Sequence, residues 1–215
     1  MSQMIQRQAA PTKIACVISV PKCASQSILE ILELGENRDD DAREKTERFV
    51  IYENHQRLSV LEKKYDLTGK YVFAFVRNPY DRLSSWYQYH SGMEPYLSYD
   101  FGQWIRQGCP THWTIQNQTD WRQEGLTPLL QYNFLASAGT KVDFIGRMEN
   151  FDADLGKVIH DLNAICASRG IGRRFEFRDV RINRSRSHLN NYTAETRDIA
   201  YRIFRKDFEE FGYEA

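Results

Sequence analysis

No window of this sequence approaches the roughly 20 apolar residues of a membrane-spanning helix. The first thirteen residues, MSQMIQRQAAPTK, contain no apolar signal core. Charge of one sign is not in excess: Lys+Arg and Asp+Glu each number 29, for a formal net charge of zero. That balance argues against a general nucleic-acid binder, although it leaves room for a local basic cleft. The four cysteines, Cys16, Cys23, Cys109 and Cys166, are scattered, with no C-x-x-C pair and no His cluster at zinc-ligand spacing. Reduced thiols and no metal site are therefore expected, as in a cytosolic protein. The glycine pair of a Walker A loop is missing too. Internal repeats, low-complexity tracts and clear linkers are absent, which predicts one domain over residues 1–215 with 1–12 as a flexible N-terminus.

What is present is enough apolar side chain for a sizeable core: 41% of residues are hydrophobic and 13% aromatic. Residues 13–20 (KIACVISV) form a short β-branched run that reads as a buried strand. A polar turn follows, and residues 28–34 then read as a buried helix ending near Gly35. Residues 36–46 read as a solvated loop, 49–52 as a short strand and 58–65 as a short helix. Residues 71–76 form the second clear strand, and 79–89 a helix with Pro79 in its first turn. Residues 91–125 are rich in Trp, Tyr, Gln and His, with one helix expected at 101–106. A strand at 142–146, an amphipathic helix at 151–168, a basic tract at 170–187 and a helix at 193–211 complete the chain. The alternation predicts an α/β fold of P-loop-like, three-layer type, with a central parallel sheet of about four or five strands flanked by helices.

Two segments have the chemistry of anion sites. In PKCASQS, residues 21–27, a lysine and small polar residues lie between a strand and a helix start. Backbone N–H groups in such a turn can surround a tetrahedral anion, to which Lys22 adds a point charge. A plain strand-to-helix turn with a surface lysine is the alternative. In VFAFVRNPYDRLSSWY, residues 72–87, a strand delivers Arg77 at its carboxyl end and a helix carries Ser85 eight residues later. The guanidinium offers a planar fork to phosphate oxygens. The alternative is an ion pair with Asp81, a role for which Arg82 is the better candidate.

Together, in this order and spacing, the two segments resemble the PAPS-dependent sulfotransferases of family 2, the carbohydrate, Golgi-type and bacterial enzymes. PKCASQS is similar to the 5′-phosphosulfate loop of that family and FVRNPYDRLSSWY to its 3′-phosphate motif. VDFIGRMENF at 142–151 resembles a further family block, as does the chain end, where Asn183, Ser185 and residues 192–195 lead into DFEEFGY. The family loop often has glycine where Ala24 stands, so the loop is expected to close with Ala24 in an ordinary conformation.

The resemblance implies transfer of a sulfuryl group from PAPS to a hydroxyl of a carbohydrate or glycolipid, giving PAP, without a metal. It implies that Lys22 stabilises the leaving phosphate and that Cys23, Ala24, Ser25, Gln26 and Ser27 hold the 5′-phosphate. Arg77 and Ser85 would hold the 3′-phosphate, and the tract around Arg186 would fold over the cofactor. His55, in YENHQRLSVL, resembles the family's post-strand histidine and is the expected base, with Glu53, His112 and His188 as alternatives. Acceptor recognition is expected from His55, His112, Gln118 and Asp120. A cytoplasmic, bacterial protein fits better than the catalytic fragment of a Golgi membrane protein. The rival functions are a nucleotide-dependent kinase and a catalytically silent nucleotide-binding module.

Overall fold

The computed structural model describes residues 13–32, 49–90, 99–111, 129–178 and 192–215. In chain order the elements are β1 (Ala15–Ile18), α1 (Ser25–Ile31), β2 (Val50–Glu53), α2 (Leu58–Lys64), β3 (Tyr71–Val76), α3 (Pro79–His90), α4 (Phe101–Arg106), α5 (Tyr132–Leu135), β4 (Phe144–Arg147), α6 (Phe151–Ser168) and α7 (Ala194–Phe211). The sheet is parallel throughout, in the order β2-β1-β3-β4. An α/β fold with a central parallel sheet flanked by helices is what the strand–helix alternation predicted. Among the described residues, no helix is long and apolar enough to cross a membrane.

The chain divides into two compact units, Met1–Val76 with Phe134–Ile182, and Arg77–Asn133 with Asn183–Ala215. The first contains the sheet. Its central strand β1 is buried along its whole length, which explains the unbroken apolar run in the sequence. β3 is buried from Val72 to Val76 for the same reason. β4 pairs with β3 in the register Phe75↔Gly146. A Cβ on Gly146 would stand 2.6 Å from the Phe75 ring, so the close approach there requires glycine. α6 buries Phe151, Leu155, Val158, Ile159, Leu162 and Cys166 along one stripe.

The second unit is helical, with α7 packed on α3 and α4. Tyr80, Leu83 and Trp86 of α3 meet Phe101, Trp104 and Ile105 of α4 and Ala200, Ile203, Phe204 and Phe208 of α7 in one aromatic-rich core. Two of these helices begin with a capping box: Asp100 with Gln103 on α4, and Thr193 with Thr196 on α7. α7 ends at Gly212, whose φ of +62° is the left-handed geometry expected just past a helix end.

Candidate active site

β1 has β2 on one side and β3 on the other, so the connections leaving its neighbourhood run in opposite directions. Open parallel sheets bind ligands outside the carboxyl ends of such strands. The segment that leaves β1 there is the predicted anion loop. Its closure centres on the carbonyl of Val20, which accepts the Cys23 N–H at 3.3 Å and the Ser25 hydroxyl at 3.1 Å. Cys23 is buried, while Lys22, Ala24 and Ser25 are half-buried and Gln26 is exposed.

One expectation about this loop fails. Ala24 does not adopt an ordinary conformation: its φ is +56° and ψ +25°, in the left-handed region. Lys22 is left-handed as well, with φ +65°. The reason lies in where the helix begins. α1 starts at Ser25, three residues ahead of the predicted Ile28, so Ala24 becomes its N-cap and the chain must reverse before it. Each left-handed non-glycine residue costs roughly 1–2 kcal/mol. Strain of this sort marks places where the surrounding structure imposes a backbone shape. A left-handed residue followed by right-handed helical ones turns successive N–H groups into a concave nest, which suits an anion. Ala24 has no side-chain acceptor to cap the helix, and the first intrahelical bond is the Ile28 N–H to the Ala24 carbonyl at 3.0 Å. Ser25 gives its hydroxyl hydrogen to Val20, so in this conformation its contribution to an anion is the main-chain N–H.

His55 belongs to the same carboxyl edge. β2 pairs with β1 as far as Ile18↔Glu53, and His55 follows two residues later, in the left-handed region at φ +53°. Its Nδ1 lies 3.0 Å from the Ser19 carbonyl and 3.2 Å from the Ser19 hydroxyl. A carbonyl only accepts, so Nδ1 carries the hydrogen and Nε2 is the basic nitrogen. Ser19 itself is buried, which anchors the imidazole to β1's outgoing chain. Glu53 is poorly suited to take a proton. Burial raises its pKa, but hydrogen bonds from Lys64 and Tyr65 outweigh burial and hold the carboxyl below the usual range.

The second unit contains Arg77 and Ser85. Asn78 caps α3: its Oδ1 accepts the Tyr80 N–H at 2.9 Å, and its carbonyl accepts the Arg82 N–H at 2.9 Å. Pro79 occupies the first helical position, where a missing N–H costs nothing. Arg77 and Ser85 are half-buried, and Arg82 is wholly buried. Arg82 donates to the Leu129 carbonyl at 2.7 Å and lies 4.0 Å from the carboxylate of Asp207. Asp207 accepts the main-chain N–H of Gln131 at 2.8 Å and of Tyr132 at 2.9 Å. Burial pushes its carboxyl pKa up, with the Arg82 charge, the two N–H groups and the Gln131 side chain pulling the other way. The side chain of Gln131 in turn holds Arg77, accepting its N–H at 2.9 Å and donating to its carbonyl at 2.8 Å.

The sequence reading assigned no role to Gln131, nor to Asp207, which opens the DFEEFGY block. Asp207 had a signal: it sits among Ile203, Phe204, Phe208 and Phe211 on the buried stripe of α7, where an acidic residue is out of place without a partner. Gln131 had none beyond its place in a loop. His112, Gln118, Asp120, Arg186 and His188 lie outside the described residues. His160 is exposed on α6 beside Asp161. Trp86 and Trp104 are buried in the core of the second unit.

A family model described as "Sulfotransferase family" matches residues 10–214, nearly the whole chain. No curated relative and no solved structure matches the chain.

Proposed function

Since the chain belongs to the sulfotransferase family, we propose that it moves the sulfuryl group of PAPS to a hydroxyl of a carbohydrate or glycolipid and releases PAP. The family supports sulfuryl transfer. The observation that carries the choice of a nucleotide donor is the left-handed loop after β1, a strained main-chain cradle with an ammonium on it. The match across residues 10–214 favours treating the chain as one sulfotransferase domain.

Each residue then has a definite task. The N–H groups of the loop, from Cys23 through Ala24, Ser25, Gln26 and Ser27, bind the 5′-phosphate. Lys22 supplies the positive charge that stabilises the phosphate as its bond to sulfur breaks. Positioning and charge stabilisation dominate in such loose in-line transfers. Arg77, with Ser85, binds the 3′-phosphate and so separates PAPS from a simple nucleotide. His55 takes the acceptor's proton on Nε2 as the acceptor oxygen bonds to sulfur, its tautomer set by Ser19. Arg186 joins the cofactor-binding set, and His112, Gln118 and Asp120 the acceptor set.

Transfer of labelled sulfate from PAPS over a panel of glycans and glycolipids tests the proposal. Label should appear on at least one hydroxyl acceptor, and Lys22→Ala should lower it about 10²–10³-fold. Label on no acceptor, or an undiminished rate in Lys22→Ala, would overturn it. Phosphate transfer from ATP with Mg²⁺ in place of sulfate transfer would favour a kinase.

A further inference from the structure

We propose that Gln131 is a positioning residue for Arg77, setting the preference for a 3′-phosphorylated nucleotide; this rests on the role of Arg77 proposed above. Arg77 lies one residue beyond the end of β3, past the last rung of the sheet, Val76↔Arg147. There the Gln131 amide takes the place of a neighbouring strand. Its Oε1 receives the Arg77 N–H at 2.9 Å, and its Nε2 donates to the Arg77 carbonyl at 2.8 Å. Bonds to both main-chain groups of one residue fix the peptide planes on either side of its Cα. They therefore fix the direction in which its side chain departs.

Gln131 is itself held so that it can serve this purpose. It is wholly buried. Asp207, from α7, grips the consecutive N–H groups of Gln131 and Tyr132 with its two carboxylate oxygens. Arg82, from α3, faces that carboxylate at 4.0 Å and holds the Leu129 carbonyl at 2.7 Å. Residues 129–132 are thus fastened at three main-chain groups by two buried, oppositely charged side chains. Networks of this kind are often no more stabilising than an apolar core of equal volume. Their distinctive product is a fixed geometry, which here is delivered to the main chain of Arg77. A bidentate guanidinium–phosphate contact is sensitive to such placement, since small displacements at a binding group cost large factors.

The test compares PAP with AMP, which lacks only the 3′-phosphate, by calorimetric titration into the wild type, Gln131→Met and Arg77→Ala. Methionine keeps the length and volume of glutamine and removes both hydrogen bonds to Arg77. In Gln131→Met the PAP-over-AMP preference should fall about tenfold, while AMP affinity stays within about twofold of wild type. Gln131→Asn retains a buried amide, shortened by one methylene. It should lose the preference similarly, and it serves as the test if the methionine variant does not melt cooperatively. Equal loss of PAP and AMP affinity, or a lower melting temperature with the preference intact, would reduce Gln131 to a structural residue. If Arg77→Ala abolishes the preference and the Gln131 variants keep it, this inference fails and the role of Arg77 stands. If Arg77→Ala keeps the preference, the role of Arg77 fails first.

Discussion

The loop at residues 21–27 and the segment at residues 77–85 differ in how their shape is held. The loop is shaped largely by its own main chain: two left-handed residues, a helix beginning abruptly at Ser25, and the Val20 carbonyl, which receives the Cys23 N–H and the Ser25 hydroxyl. The Arg77 segment is shaped by side chains that arrive from distant parts of the sequence, Gln131 and Asp207, with the segment's own Arg82 facing Asp207. A main-chain cradle stores strain locally and tolerates variation in its side chains. A side-chain brace stores none, but fails when one remote residue changes.

Three perturbations sharpen or break this contrast. The largest effect belongs to the brace. Asp207→Ala leaves the Arg82 charge buried without its carboxylate and should destabilise the protein by about 3–5 kcal/mol in denaturant titration. A loss below about 1 kcal/mol would mean that the segment is held by packing alone. In the loop the sign reverses. Ala24→Gly relieves a left-handed alanine and should raise stability, by up to about 1 kcal/mol after the extra entropy of glycine is counted. A loss of stability there would contradict the strained geometry. The smallest effect lies at the end of β2, at Glu53. Its carboxyl pKa is lowered on folding, so its contribution to stability is present above the ordinary carboxylate pKa and disappears as pH falls through the depressed value. Glu53→Gln should therefore lower the melting temperature at about pH 7 and leave it unchanged at about pH 2. An equal effect at both pH values would assign the Lys64 and Tyr65 contacts no electrostatic weight.

Much of this was legible before the structure. Continuous β-branched runs betray strands buried on both faces, and β1 and β3 fall inside the predicted 13–20 and 71–76. The helix at 101–106 matched because its apolar residues are bounded by Asp100 and a turn at Gly108. The order of the two anion segments carried the family. The left-handed Ala24 was hidden because alanine does not advertise positive φ as glycine does. The brace was hidden because its members are coupled across 54 residues, from Gln131 to Arg77, and 76 residues, from Gln131 to Asp207. No local periodicity encodes such a pairing. α5, at Tyr132–Leu135, was missed for a related reason: four residues are too few to show a helical period.

Amide hydrogen exchange with and without nucleotide asks most directly whether the main-chain cradle and the braced arginine answer to the same ligand. PAP should slow exchange in peptides covering residues 21–31 and in those covering 77–88, whereas AMP should slow only the first set. Protection by PAP of one set alone, or identical protection by PAP and AMP, would contradict the assignment of the two segments to one doubly phosphorylated nucleotide.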